Sequence, residues 1–378
     1  MQMRKFGSTG ELVSILGYGC MRFQVLDGDP GRIDEPLAIQ QLRHSIDNGV
    51  NYIDTAWPYH KKTSESLVGK ALLDGYRERV KLATKMPSWA IECYGDMEDY
   101  LDEQIYKLQT DYIDYYLVHA LNQAYWDNVM ACDLFEFLDK AKEQKKIRFA
   151  GFSFHDELPL FKTIVDAYPW DFVQVQYNFM DEDFQAGLEG IEYAAAKGMG
   201  VVVMEPLRGG SLVKNVSPRI MEIWNSAGID RSPAEWALRF VWNHPAVSTV
   251  LSGMGRFEEI DENIAAAGDA LPGSLTEEEL GVIEKVRQAY KDSIAVPCTA
   301  CNYCMPCPHG VDIPGCFTHL NNGAIFDEYA RANGHYNLEM PPDSRAGNCT
   351  QCGECEPKCP QQIAIIDGLK KTAEIFGS

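Results

Sequence analysis

"GVNYIDTAWPYH" (residues 49–60) begins as a short β-branched and aromatic run and stops on an acid, Asp54. Just beyond it, "SESLVGKALLDG" (64–75) repeats apolar residues at helical spacing and ends on glycine, a common helix terminator. The same strand-then-helix unit recurs along the chain. Strand candidates lie at 13–17, 51–54, 80–85, 112–118, 147–152, 172–176, 200–204 and 247–251. Helical patterns between them include "AIQQLRHSIDNG", "MEDYLDEQIYKL", "LFEFLDKAKEQKK", "LEGIEYAAAKG", "PAEWALRFVWNH" and "FEEIDENIAAAG". Eight strands, each followed by a helix, predict a (β/α)8 TIM barrel. An open doubly wound sheet is the alternative, but no GxGxxG follows a strand to support it.

In such a barrel, chemistry belongs at the C-terminal ends of the strands. Those ends carry Asp54, Lys85, His119, Ser153, Gln174 and Gln176, Glu205 and Ser252. Any one alone reads as a solvated loop residue; polar groups at successive strand ends argue for a site. Tyr59 follows the Asp54 strand and completes a set. A tyrosine is a weak acid, with a free pKa of about 10, and a nearby lysine cation favours its phenolate. An aspartate can hold that lysine charged, and a histidine can hydrogen-bond the same substrate oxygen. Together Asp54, Tyr59, Lys85 and His119 form a site for protonating an alkoxide as hydride reaches a carbonyl carbon.

"GVNYIDTAWPYH", "LATKMP" and "DYYLVHAL" resemble the three signature segments of aldo-keto reductases, over about residues 1–290. The resemblance implies Tyr59 as general acid/base, Lys85 as its tuner, Asp54 as the support of the lysine and His119 as the group orienting the carbonyl. It also implies an extended nicotinamide dinucleotide, NADP or NAD, bound without a Rossmann fold. On that resemblance Gly19, Met21 and Arg22 in "GYGCMR" border the nicotinamide, and Ser153 and Gln174 grip its carboxamide. Met204 stands where many relatives stack an aromatic ring. Pro206, Leu207 and Gly209 in "PLRGG" resemble the loop under the pyrophosphate, where backbone N–H groups can face phosphate oxygens. Ser252, Gly253 and Arg256 in "SGMGRFEE" open the last barrel helix, and Asn263 matches an adenine contact. NADPH is the family default; Glu258 and Glu259 beside Arg256 suit a ribose diol and so NADH. Phe154 follows Ser153 where many relatives place Asn, with His155 as a substitute. Trp57, Trp89, Tyr125 and Trp126 are substrate-facing candidates and suggest a carbonyl or alcohol substrate of apolar or ring character.

The cysteines are unevenly spread: three, Cys20, Cys93 and Cys132, precede residue 298, and nine follow. That shift predicts a barrel over 1–290, a linker at 291–297 and a second domain over 298–378, after a helix opened by a capping box at Thr276 and Glu279. "CTACNYCMPCP" (298–308) and "CTQCGECEPKCP" (349–360) each place three cysteines at i, i+3 and i+6 and a fourth before proline. Three closely spaced thiolates suit three corners of a cubane, and the cysteine before proline commonly reaches the other cluster. Zinc is the alternative, though it has no use for a third cysteine in one run. By ferredoxin analogy, one [4Fe–4S] cluster takes Cys298, Cys301, Cys304 and Cys359, and the other takes Cys349, Cys352, Cys355 and Cys307. Cys316 is left as a core residue or reserve ligand, and the stretch around it predicts two buttressing helices. The whole resembles the ferredoxin-fused branch of the aldo-keto reductases.

The net charge of −21 repels phosphate backbones and anionic lipid, which argues against nucleic acid and membrane as partners. The first thirty residues hold no signal-peptide pattern, and no run approaches a membrane span, so a cytoplasmic protein with reduced thiols is expected. The expectation is therefore an oxidoreductase transferring hydride between NAD(P)H and a carbonyl or alcohol, with an α-rich, ferredoxin-like iron–sulfur domain. The clusters either exchange electrons with a flavin or a soluble ferredoxin, or stiffen a small domain that closes the barrel mouth. A flavin-linked one-electron enzyme and a non-enzymatic electron carrier are the competing readings.

Overall fold

The computed structural model describes residues 1–378 except Ser211, Asn215, Thr299, Cys301, Asp327, Glu328, Pro360 and Ser378. The chain forms two compact units: Met1–Val213 with Arg231–Glu277, and Lys214–Asp230 with Glu278–Ser378.

The first unit opens with a hairpin, β1 (Met3–Lys5) and β2 (Leu12–Ser14), paired antiparallel. Eight parallel strands then close a barrel: β3 (Leu16–Gly19), β4 (Tyr52–Asp54), β5 (Lys81–Met86), β6 (Ile113–Leu121), β7 (Ile147–Phe154), β8 (Phe172–Gln176), β9 (Gly200–Met204) and β10 (Thr249–Ser252). They follow chain order round the ring, and β10 pairs with β3 to shut it. The run at 13–17, expected as one strand, is broken at Ile15 into hairpin β2 and barrel β3. Both halves are short apolar runs, so residue pattern alone does not separate them.

Period-two alternation sorts the strand side chains. Tyr52, Ala83, Tyr115, Leu117, Phe172, Val202 and Leu251 fill the barrel interior. Ile53, Leu82, Tyr116 and Val118 point outward into the layer shared with the helices. Phe6, just after β1, joins the interior, its ring 4.5 Å from Tyr115 and 5.5 Å from Phe172. Burying such a ring contributes about 3 kcal/mol. Gly7 makes this possible: at φ +53 it lies so near the start of β9 that a Cβ would fall 2.4 Å from the Gly200 nitrogen. Aromatic side chains thus fill the lower layers of the barrel, beneath the strand ends that carry Asp54, Lys85 and His119.

The outer layer holds α1 (Glu35–Asp47), α2 (Ser64–Ala71), α3 (Tyr94–Leu108), α4 (Gln123–Met130), α5 (Leu134–Glu143), α6 (Leu158–Ala167) and α7 (Gly187–Ala196). Next in the chain comes α8 (Pro218–Asn225), which belongs to the second unit, followed by α9 (Pro233–Trp242) and α10 (Phe257–Ala266) of the first. Ser217 and Ser232 cap α8 and α9 by accepting backbone N–H bonds ahead of a proline at N1.

The second unit adds α11 (Glu277–Asp292), α12 (Ile313–Phe326), α13 (Tyr329–Glu339) and α14 (Ile365–Phe376). Its core is Val296, Val311, Ile313, Phe317, Leu320, Tyr336, Ile365, Leu369 and Phe376. Asn321 pins the incoming chain through both Val296 backbone groups, at 2.9 and 2.7 Å. Gly368 lets α14 approach α12, since a Cβ there would lie 2.7 Å from the Phe317 ring. The expected two helices between the cysteine stretches are α12 and α13. No helix among the described residues is long and apolar enough to cross a membrane.

Candidate active site and cysteine-lined cavities

Asp54 and Lys85 end up side by side because β4 and β5 pair in register, Asp54 opposite Ala83. The Lys85 ammonium is fully buried and donates three times: to Asp54 Oδ1 (2.5 Å), to the Thr55 carbonyl (2.8 Å) and to the Tyr59 hydroxyl (3.4 Å). Three donors meet three acceptors, so the ammonium is satisfied and cannot turn. Tyr59 itself sits on a 3-10 turn, Tyr59–Lys62, in which His60, Lys61 and Lys62 all take positive φ. Such a conformation costs about 1–2 kcal/mol per residue. His60 holds it: Nε2 accepts from the Phe23 N–H (3.2 Å) and Nδ1 donates to the Pro30 carbonyl (2.9 Å). His119 reaches the same place from β6, its ring 5.9 Å from that of Tyr59 and nearly perpendicular to it. All four predicted residues are therefore brought together.

The electrostatics differ from the sequence expectation in one respect. Burial pushes the Tyr59 phenol above its ordinary value, and the pull of Lys85 recovers only part of that; Asp54 and Cys20 add to the rise. The lysine was expected to make the phenol unusually acidic. Here desolvation of the phenolate is the larger effect. Burial alone would lower Lys85, but Asp54 and Tyr59 together raise it, so the ammonium stays charged. Burial lifts Asp54 against the opposing pull of Lys85. His119 is held well below its ordinary value, by burial first and then by Lys85 and His155, so it is a neutral imidazole at physiological pH. Its Nδ1 is buried and has no hydrogen-bond partner.

Ser153 is buried and accepts from the Ala120 N–H (2.7 Å). Gln174 donates to Met204 Sδ (3.5 Å) and leaves its Oε1 buried and unpartnered. Gly19 keeps its strand end open: a Cβ would meet nothing nearer than 3.6 Å. Met21 is exposed, and Arg22 lies 3.8 Å from Glu205 with its stem over Gly253. Pro206 is buried, Leu207 half-buried and Gly209 exposed at φ +65. Asn263 is buried and donates to Ser252 (3.1 Å). Arg256, at the start of α10, pairs with Glu259 (3.4 Å), whose other oxygen accepts the Gly255 N–H (2.9 Å).

The aromatic candidates divide. Trp89 packs 5.2 Å from His119, with Tyr125 6.1 Å beyond it. Trp57 instead meets Tyr100 edge to face, donates to Glu103 and carries Lys62 over its ring, while Trp126 is buried against Phe135. Phe154 packs outward on Phe161, and His155 lies by Gln185. Sequence reasoning missed the Thr55 carbonyl as third anchor of Lys85, a backbone group that no residue pattern reveals. It also missed Cys20, fully buried beside Asp54, which Gly17–Arg22 signalled only as a strand end.

In the second unit, cysteines line two cavities. One is walled by Cys304, Cys307, Cys349, Cys352 and Cys355, with Ile313 and Leu369. The other is walled by Cys298, Cys304 and Cys359, with Ile313 and Phe317. Cys301 lies outside the described residues. Among the described residues, no three or more His, Cys, Asp or Glu side chains converge on a single-ion site. Cys316 lines neither cavity; it is buried between Tyr336 and the Ser344 carbonyl, and burial pushes its thiol up to about 12.

The profile of the aldo/keto reductase family matches residues 15–288. The chain belongs to the aldo/keto reductase family. A 4Fe-4S dicluster domain profile matches residues 297–365, so this reductase-family oxidoreductase carries a C-terminal iron–sulfur domain. L-galactose dehydrogenase of Arabidopsis thaliana is 26% identical, covering 77% of this chain and 96% of its own. Protein tas of Escherichia coli is also 26% identical, over 77% of this chain and 99% of its own. Among solved structures, the holo form of aldo-keto reductase AKR11C1 from Bacillus halodurans superposes with a TM-score of 0.63 at 27% identity, covering 76% of this aldo/keto reductase and 96% of its own chain. Each covers about three quarters of this aldo/keto reductase and nearly all of itself.

Proposed function

We propose that the barrel is an NAD(P)H-dependent reductase of aldehydes or ketones, or the reverse alcohol dehydrogenase, with Tyr59 as general acid/base. The observation that carries the reading is the committed Lys85 ammonium, fixed by Asp54 and the Thr55 carbonyl and directed at the Tyr59 hydroxyl. The residues at the strand ends fit a nicotinamide: Gln174 Oε1 is a buried acceptor without a donor, and the Ser153 hydroxyl retains its proton to give, as a carboxamide requires. When bound, a nicotinamide supplies or receives the hydride at the carbonyl carbon. Tyr59 then gives the substrate oxygen a proton, and Lys85 stabilises the phenolate left behind. Neutral His119 offers a hydrogen bond to the same oxygen without carrying charge into the pocket. Trp89 and Tyr125 form an aromatic wall beside His119, suited to an apolar or ring-bearing carbonyl compound. Glu259, seated on the Gly255 N–H beside Arg256, disfavours a 2′-phosphate there and favours NADH over the family's usual NADPH. The pyrophosphate loop at Pro206–Gly210 and the adenine contact at Asn263 complete the proposed cofactor path.

For the second unit the reading is two [4Fe–4S] clusters, one held by Cys298, Cys301, Cys304 and Cys359, the other by Cys349, Cys352, Cys355 and Cys307. The two cavities support it, for their cysteine linings divide along those lines, with Cys304 on both walls. Loaded clusters supply single electrons, which favours a flavin or ferredoxin as a further partner. Redox titration with substrate and nicotinamide present tests that role: cluster spectra that never change on turnover would confine the clusters to structure.

Replacing Tyr59 by Phe tests the barrel. Carbonyl turnover with NADH or NADPH should fall by about 10²–10⁴-fold, the usual worth of a positioned acid, while the iron–sulfur absorbance persists. A Tyr59→Phe enzyme that still turns over at the parent rate defeats the proposal.

A further inference from the structure

Behind Lys85, in the layer between barrel and helices, lies a polar network with no role so far. Glu65, Thr84, Gln104 and Tyr116 are each completely buried. Thr84 donates to Glu65 Oε1 (2.6 Å), and Gln104 donates to the same oxygen (2.7 Å) and to the Lys85 carbonyl (3.0 Å). Tyr116 donates to Gln104 Oε1 (2.8 Å), which fixes the orientation of that amide. The other Glu65 oxygen accepts no hydrogen bond, and Lys107 Nζ lies 3.9 Å from it.

A buried carboxyl is a costly way to fasten a helix to a strand; apolar packing does it more cheaply. What the network adds is direction and register. Glu65 is the second residue of α2, and α2 continues straight from the turn that carries Tyr59. Thr84 and the Lys85 carbonyl belong to the strand that carries the lysine. A second tie runs parallel: Ser64 donates to the Cys20 carbonyl (3.0 Å), and its hydroxyl lies 2.9 Å from that of Thr55, whose own carbonyl anchors Lys85. The bond these ties govern is the one with least margin, Lys85 to Tyr59 at 3.4 Å, at the long limit of hydrogen bonding.

We propose that Glu65 is a positioning residue: through Thr84 and Gln104 it locks the start of α2 to β5 and so sets the separation of the Tyr59 hydroxyl from the Lys85 ammonium. Its catalytic consequence rests on the acid/base role of Tyr59; its geometric claim does not. Three variants test it: Glu65→Ala, Glu65→Gln and Thr84→Val. In each, Tyr59 ionisation is followed by ultraviolet difference titration against the same variant carrying Tyr59→Phe, and pH profiles of kcat and KM are measured beside it. Glu65→Ala and Thr84→Val should move Tyr59 ionisation to higher pH. Their kcat should fall about 10- to 100-fold, the scale of an ångström's misplacement, with KM little changed. Glu65→Gln keeps an acceptor for both donors and should restore both readouts. A folded Glu65→Ala protein with unmoved Tyr59 titration overturns the proposal, and so does a Glu65→Gln variant as impaired as the alanine. If Glu65→Ala does not fold, the nearly isosteric Thr84→Val carries the same two outcomes. A titration that moves in a protein without carbonyl turnover leaves the positioning role standing and removes the reductase reading; turnover with an unmoved titration does the reverse.

Discussion

Tyr59 is an acid whose proton is held more tightly than in water, beside a base, His119, that does not titrate near neutrality. The pH dependence follows from that. Under the acid/base role proposed for Tyr59, carbonyl reduction needs the protonated phenol, which persists until pH passes the raised folded value, above the ordinary 10 or so. Reduction at saturating cofactor should therefore be flat through the neutral range and decline only in strong alkali. Alcohol oxidation needs the phenolate and should climb with pH over the same interval. Because His119 is neutral throughout, neither profile should break near pH 6.5; stopped-flow rates of the hydride step in both directions check this. A break there would mean the imidazole carries a proton that the geometry does not provide for.

At the scale of elements, α2 and α3 meet where Gly69 faces the end of α3. A Cβ at this position would lie 2.6 Å from the Lys107 carbonyl and 2.8 Å from Leu108. Gly69→Ala should cost about 1–3 kcal/mol in urea unfolding, as overpacking does, despite alanine's better helix propensity. The strands and the polar groups at their ends were legible because each is local: a β-branched run, then Asp54, Lys85 or His119. The helix–strand rhythm gave the ring for the same reason. The break at Ile15 was not legible, since β2 and β3 differ in partner and not in pattern. Glu65, Thr84 and Gln104 were invisible because they are 19 to 39 residues apart in sequence and acquire meaning only in contact. The sign of the Tyr59 shift was hidden too: sequence supplies the neighbouring charge but not the depth of burial that outweighs it. Of the four aromatic residues, Trp89 packs on His119 and Tyr125 on Trp89, while Trp57 and Trp126 pack elsewhere, because position along the chain does not fix side-chain direction.

For the whole molecule, the iron–sulfur unit has a modest apolar core, and the described residues of its cysteine stretches have little regular structure beyond short turns. Ligands that gather only in the folded state tie binding to folding. Anaerobic chelation of the iron should thus remove hydrogen-exchange protection from peptides spanning 298–376, while peptides of the barrel strands keep theirs. Retained protection throughout would show that the helices of this unit stand without metal. The division of the chain has a further consequence. Lys214–Asp230 leaves the barrel between β9 and α9 and, with α11, belongs to the unit that holds the cysteines. A module joined end to end could be inherited, lost or exchanged with a single cut. Here part of the cysteine-bearing unit comes from within the barrel's own sequence, so deleting the tail would strand α8 and α11 without the rest of their unit.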